Sequence, residues 1–301
     1  MPPKKSASVN RKQRQLGPGV GGIAKGRPPL AKKPQAALSS EKTRQLIRSH
    51  HQLNKQLASV ENAGNREEAD EIRKRIEQLG GLKSYQQASI QGQANDRGGD
   101  SSAVLMEWLK PLTSVVGKDK SKLRLLEVGA LSTRNACSRS GCFDVERIDL
   151  NSQAEGIKQQ DFMARSIPSP DGERFDVISL SLVLNYVPSP EGRGDMLKRT
   201  CEFLSIRNEH TYSMDQQSTL PALFLVLPAP CIVNSRYMSE ERLASLMESL
   251  GYALLRSKQT SKLVFYLWQL KARPGSRRAK FSKKQVNPGI NRNNFSIVLQ
   301  H

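Results

Sequence analysis

The stretch Leu123-Arg-Leu-Leu-Glu127-Val128-Gly129-Ala130, with Val145-Glu-Arg-Ile-Asp149-Leu150 behind it, decides the fold. A short apolar run ending in acid-x-Gly reads as a buried parallel strand feeding a tight turn. A second apolar run ending in Asp reads as its neighbour. An open α/β sheet builds a nucleoside site in this way: the glycine admits close approach to the backbone, and the acid accepts hydrogen bonds from ribose hydroxyls. Dinucleotide sites need Gly-x-Gly-x-x-Gly, so that backbone N–H groups pack against a pyrophosphate. Here the turn runs Gly129-Ala-Leu-Ser-Thr-Arg-Asn135, and the later glycine positions carry side chains. The pattern argues against a pyrophosphate cradle and for a smaller nucleoside ligand.

Working outward, apolar runs predict strands at 123–128, 145–149, 175–180, 222–227 and 262–269, with shorter extended pieces near 157–161 and 252–256. Helices are expected at 132–140, 191–204 and 239–250, the last capped by Ser239 and closed by Gly251. This alternation predicts an α/β fold, a mostly parallel sheet with helices on both faces. The last strand follows its predecessor through a short turn, which implies antiparallel pairing near the C-terminus. Ahead of the first strand, Ser101-Ser102 is expected to cap a helix carrying Val104, Leu105, Trp108 and Leu109, placed to cover the ligand site.

Further towards the N-terminus, Leu46, Leu53, Leu57 and Val60 form one helical stripe. Gly64-Asn65 interrupts it, and Ile72, Ile76 and Leu79 continue it until Gly80-Gly81. The expected domains are a disordered basic tail over 1–40, a helical hairpin and polar connector over 41–100, the ligand-binding domain over 101–271, and a basic tail over 272–301.

Charge supports this division. Of the net +19, residues 1–50 carry 12 Lys+Arg against one acid and residues 271–301 carry 8 against none, which leaves 27 of each sign for residues 51–270. Basic flanks around a neutral body suit a nucleic-acid partner, through phosphate neutralisation and counterion release, and equally suit nuclear import. Cys137, Cys142, Cys201 and Cys231 form no C-x-x-C pair, and only four histidines are present, so neither a metal nor a disulfide framework is expected. The four cysteines read as small packing residues. The longest apolar run, 223–233, holds two prolines and is too short to span a bilayer, so no membrane partner is expected.

The strand ends offer Gly129, Asp149 and then Asp161-Phe162, groups that converge at the carboxyl edge of such a sheet. Gly129 leaves room for the ligand, Asp149 accepts from a ribose diol, Asp161 accepts from an exocyclic amine, and Phe162 packs on a purine face. S-adenosylmethionine needs this grip and no phosphate cradle, and it is the expected cofactor. Asn185 and Tyr186, after the fourth strand, are the candidates for positioning an acceptor base, one as a hydrogen-bonding edge and one as a stacking surface.

With these residues in view, the chain resembles a class I S-adenosylmethionine-dependent methyltransferase. The run Phe175-Asp-Val-Ile-Ser-Leu-Ser-Leu-Val-Leu-Asn-Tyr-Val-Pro-Ser-Pro190 is similar to the fourth-strand motif of the fungal 25S rRNA adenine-N1 methyltransferases. The connector from Tyr85 to Ser102 is similar to that family's segment ahead of the first strand. The resemblance implies a Rossmann-like sheet, methyl transfer to an adenine N1 in large-subunit rRNA or a pre-ribosome, and a nuclear, nucleolar location. It also implies that Gly129, Asp149, Asp161 and Phe162 contact the cofactor. The same signature resembles a metazoan relative, a non-enzymatic sensor that binds the cofactor and acts through protein contacts, and a ribosome-assembly factor with a vestigial site is a further alternative. Asn185-Tyr-Val-Pro188 departs from the Asn/Asp-Pro-Pro-aromatic signature of amino-methylating enzymes, which turns the expectation from exocyclic N6 towards ring N1.

Overall fold

A computed structural model describes residues 39–81, 84, 99–116, 122–152, 154–169, 173–206, 219–275 and 279–300. Of the segment 1–40 expected to be disordered, residues 1–38 lie outside the described residues, as does most of the connector, 85–98; Ser39 caps a helix that Ser40 begins.

A seven-stranded sheet organises the domain: β1 (Leu123–Val128), β2 (Phe143–Asp149), β3 (Lys158–Gln159), β4 (Val177–Ser181), β5 (Ala222–Pro228), β6 (Tyr252–Gln259) and β7 (Leu263–Leu270), in the order β3-β2-β1-β4-β5-β7-β6. Pairing is parallel from β3 through β5, while β7 runs antiparallel to both β5 and β6. This is the predicted α/β sheet with its antiparallel C-terminal strand. The chain leaves β1 towards β2 and β4 towards β5, in opposite directions along the sheet. The β1–β4 carboxyl edge is therefore the switch point, where such sheets open a crevice.

Alternation within the strands divides the core between two faces. Leu126 and Val128 of β1, Ile178 and Leu180 of β4, and Leu223, Leu225 and Leu227 of β5 pack on one side. That side is covered by α6 (Pro190–Phe203) and α8 (Glu240–Ser249), through Leu197, Cys201, Leu243, Leu246 and Met247. Leu123, Leu125, Val177, Phe224 and Val226 face the other way, onto Leu105, Leu109 and Leu112 of α3 (Ser102–Trp108) and α4 (Lys110–Val116) and the junctions beside them. Two short helices, α5 (Ala136–Arg139) and α7 (Pro230–Val233), follow β1 and β5. Helix α5 is shorter than the expected 132–140 because Ala130–Arg134 stays irregular and the Asn135 side chain caps it through the Ser138 N–H. The cap of α3 also differs from expectation. Asp100 accepts from both the backbone N–H and the hydroxyl of Ser102, the role the sequence had suggested for serine.

Two helices precede this domain: α1 (Ser40–Asn62) and α2 (Arg66–Gln78). Gly64, at φ +76, makes the turn between them, and Asn65 caps α2. Arg73 of α2 bridges to Glu61 of α1.

The largest difference from the sequence reading concerns the C-terminus. Residues 279–300 are not a separate tail: Phe295, Ile297 and Leu299 are buried in the same cluster as α6 and α8. A Cβ on Gly194 of α6 would fall 1.9 Å from the Val298 carbonyl oxygen, so only glycine lets this segment lie against the helix. The segment acts as a strap, and its basic side chains had masked its apolar residues.

Candidate active site

The edge at the switch point is built first by backbone. The Gly129 and Ala130 N–H groups both donate to the Ile148 carbonyl, which folds the turn after β1 back onto β2. Gly129 sits at φ +73, and a Cβ there would lie 2.5 Å from Val183 Cγ2. Its glycine is therefore required by the chain leaving β4, where the sequence had assigned the space to a ligand. Gly156, at φ +84, brings the loop after β2 against Thr133 in the loop after β1. Leu182 adopts φ +58, a region that bulky residues occupy at a cost, directly where β4 gives way to the Leu184–Tyr186 turn.

Glu127 is the penultimate residue of β1, at that edge. Its Oε1 accepts from Asn135 Nδ2 at 2.6 Å, while Oε2 is buried with no hydrogen-bond partner among the described residues. Burial pushes the carboxyl up to about 7, against the opposing effects of the Asn135 amide and the Arg147 charge, and Asp100 pushes it further the same way. Asp100 arrives from the segment ahead of β1: it accepts from the Ala136 N–H, and the neighbouring Ser101 hydroxyl meets the Ser181 hydroxyl at 2.7 Å. The start of α3 is thus tied to β4 and to the loop after β1. Asp100 carries a cap signal in the sequence, as the acid of Asp-Ser-Ser before an apolar helix, and Glu127 is legible there only as part of a strand end.

Asp149 closes β2 and accepts from the Asn151 N–H at 2.8 Å; Asp161, two residues beyond β3, accepts from the Met163 N–H at 2.8 Å. The Gln160 N–H donates to the Asp149 carbonyl, so the two acids stand at the end of β2 and just past the end of β3, on the same edge. Phe162 is elsewhere. It is 2% exposed, its ring packs on Phe203 at 5.0 Å between centroids, and the Arg199 guanidinium lies over it. Its side chain is part of the core and offers no face to a purine. Leu150, directly after Asp149, is 66% exposed and supplies an apolar surface at that edge.

Asn185 and Tyr186 lie in the short turn after β4, both half-buried, and the Tyr186 N–H bonds to the Val183 carbonyl. The Asn185 Oδ1 is buried without a hydrogen-bond partner among the described residues. An unpaired buried acceptor costs about 1–3 kcal/mol, which a donor from a bound molecule would recover. The orphaned Glu127 oxygen and the acids Asp149 and Asp161 fit a nucleoside with a cationic amino-acid arm, as S-adenosylmethionine is.

Burial pushes the Cys137 and Cys231 thiols up to about 12, which leaves them protonated and poor nucleophiles. No group of three His, Cys, Asp or Glu among the described residues is placed to hold a metal ion. No described helix is long and apolar enough to cross a membrane.

The family model described as Bmt2, 25S rRNA (adenine(2142)-N(1))-methyltransferase, matches residues 70–297. The 25S rRNA adenine-N(1) methyltransferase of Schizosaccharomyces pombe is 39% identical over 259 residues, covering 85% of this chain and 91% of that protein. The 25S rRNA (adenine(2142)-N(1))-methyltransferase of Saccharomyces cerevisiae is 39% identical over 230 residues, 76% of this chain and 63% of that longer protein. Among solved structures, the N-terminal domain of EvdMO1 with SAH bound is 12% identical over 58% of this chain and 86% of that one, with a TM-score of 0.35, a likeness too loose to bear on the site. With the family model spanning the sheet, its switch-point edge and the C-terminal strap together, this chain belongs to the 25S rRNA (adenine(2142)-N(1))-methyltransferase family, Bmt2.

Proposed function

We propose that this chain is an S-adenosylmethionine-dependent methyltransferase acting on N1 of an adenine in 25S rRNA, and that it works in the nucleolus on rRNA within a pre-ribosome. The observation that carries the acceptor side is the buried Asn185 Oδ1 beside the switch point, without a hydrogen-bond partner among the described residues. An adenine presents an N6 amino group next to N1; a guanine presents an acceptor, O6, at the same place. An orphan acceptor favours the first and leaves two lone pairs facing each other with the second, a penalty of the kind that gives strong discrimination.

On the cofactor side, Glu127 Oε2 would receive the ammonium of the amino-acid arm, Asp149 the ribose diol and Asp161 the adenine amine, with Leu150 beneath the base. S-adenosylmethionine, when bound, supplies a methyl group made electrophilic by a sulfonium. Adenine N1 carries a free lone pair, so no proton has to leave before attack and no general base is needed. What remains for the protein is alignment and exclusion of water, and alignment alone can supply several kcal/mol. Asn185 holds the Watson–Crick edge, Tyr186 provides a ring against which an unstacked base can rest, and Leu182 fixes the turn that carries both. The product N1-methyladenine is cationic, and the acids of this edge suit that charge.

The reading is tested by mapping reverse-transcription stops along 25S rRNA from cells with and without the chain. N1 methylation blocks the pairing edge, so one strong stop is expected to vanish with the gene and to stay absent when Asn185→Ala replaces the wild type. An unchanged stop map contradicts the assignment.

A further inference from the structure

The last acid in the sequence is Glu248. Residues 249–301 carry eleven Lys and Arg and no Asp or Glu, whereas residues 51–248 carry 24 basic groups against 27 acids. The fold places much of this one-signed stretch at the carboxyl edge of the sheet. Pro228, the last residue of β5, pairs with Leu263, so the β6–β7 turn rises on the same edge as the ends of β1 and β4. Arg256, Lys258 and Lys262 lie on this hairpin, and every residue from 256 to 262 is exposed. The strap reaches the same edge from the other side. Val286 and Asn287 donate to the Arg236 carbonyl, and the Lys283 ammonium lies 4.7 Å from the centre of the Tyr237 ring. Lys284 is exposed beside it, and the Arg292 guanidinium is oriented by the Pro288 carbonyl.

Hairpin and strap each bond to the chain just after β5. The Ala229 N–H donates to the Lys262 carbonyl at 2.8 Å, and Asn293 Nδ2 donates to the Pro230 carbonyl at 2.6 Å. The two basic elements therefore bracket the loop after β5, next to the turn that carries Asn185 and Tyr186. Among the described residues, none of these six cations is within ion-pair distance of a carboxylate. Arg256 and Lys258 line the outer strand β6, level with Phe224 and Val226 of β5, and Lys262 stands at the turn; like charges left without a carboxylate along hairpin and strap repel one another, and a polyanion removes that repulsion.

We infer that Arg256, Lys258 and Lys262 of the β6–β7 hairpin and Lys283, Lys284 and Arg292 of the strap form a phosphate-binding rim that holds the RNA backbone beside the acceptor pocket. The inference rests on the RNA substrate proposed above and adds the face by which that RNA is held. The cofactor half of the edge ends in Asp149 and Asp161 and would repel phosphates, so the field across the site orients the strand: backbone over β5 to β6, base turned inwards at β4.

The test uses the full chain and filter binding of unmodified, transcribed 25S rRNA over a range of salt concentrations. Each of two triple variants, Arg256→Gln with Lys258→Gln and Lys262→Gln, and Lys283→Gln with Lys284→Gln and Arg292→Gln, is expected to flatten the plot of log affinity against log salt by about two units, at roughly 0.7 per lost phosphate contact. Affinity at physiological salt is expected to fall at least tenfold by the same counting, with S-adenosylmethionine binding unchanged. A control triple on α2, Arg66→Gln with Lys74→Gln and Arg75→Gln, is expected to leave the slope where it was. Unchanged slopes in both rim variants while the wild type binds RNA would overturn the rim alone and leave that face to an acidic protein. An equal loss in the control would reduce it to bulk charge. A wild type that binds no RNA at any salt would overturn the rim together with the substrate reading.

Discussion

Glu127 shows how a single side chain couples the fold to its ligand. Buried at the end of β1 and held up to about 7, it costs the free chain stability as pH rises from the ordinary carboxylate range through 7, because the unfolded chain ionises the group more readily. A bound ammonium reverses the preference and favours the carboxylate. S-adenosylmethionine affinity is therefore expected to weaken about eightfold from pH 7.5 to pH 6 as the group takes up its proton. Glu127→Gln should bind more weakly at pH 7.5 with a flat pH profile; titration calorimetry of both proteins checks this, and a flat profile in the wild type refutes it. Asp149→Ala should lose two charge-assisted hydrogen bonds to the ribose, about 3 kcal/mol or roughly a hundredfold in affinity, with the fold kept and the melting temperature lowered only by the loss of the Asn151 bond. Gly129→Ala is a test of packing. It combines a left-handed backbone with the Val183 contact and is expected to cost about 3 kcal/mol. Adding Val183→Ala should return the steric part, and purely additive denaturation midpoints would show that the two positions do not touch.

Among the elements, the strap and α6 are the pair whose interaction matters most for the acceptor side. Arg193 is buried and donates to the carbonyls of Val187, Pro188 and Ser296, with its guanidinium 4.7 Å from the Phe295 ring centre. One side chain thus fastens the chain just after Asn185-Tyr186 to the C-terminal strap. Arg193→Met removes the donor to three carbonyls and should cost about 3 kcal/mol in chemical denaturation, with residues 279–300 opened to limited proteolysis. A strap that stays protected would show that Arg193 is not its anchor.

Strands were easily read in the sequence because burial on both faces leaves long apolar runs, and the acids at their ends mark where the runs stop. Phe162 was misplaced for a related reason: a strand end tells which residues reach the edge, not which way each ring turns. The strap was hidden by its charge. Its signal was the period-two run Phe295, Ile297 and Leu299, a buried extended pattern inside a stretch read only for its lysines. Leu182 at positive φ carries no signature in sequence at all.

At the scale of the whole molecule, three features converge on one edge of one sheet: acids and an orphan carboxylate oxygen beside β1 to β3, an orphan amide oxygen after β4, and uncompensated cations around β5 to β7. That order suits a reaction in which a cationic donor and a polyanionic acceptor enter from opposite sides. The most direct check of it is methyl transfer by the purified full chain from S-adenosylmethionine carrying a radiolabelled methyl group to unmodified, transcribed 25S rRNA, followed by digestion to nucleosides. We expect the label in 1-methyladenosine at a single position, lost in Asn185→Ala and Asp149→Ala; label in N6-methyladenosine, or none in any nucleoside with folded wild-type protein, would contradict it.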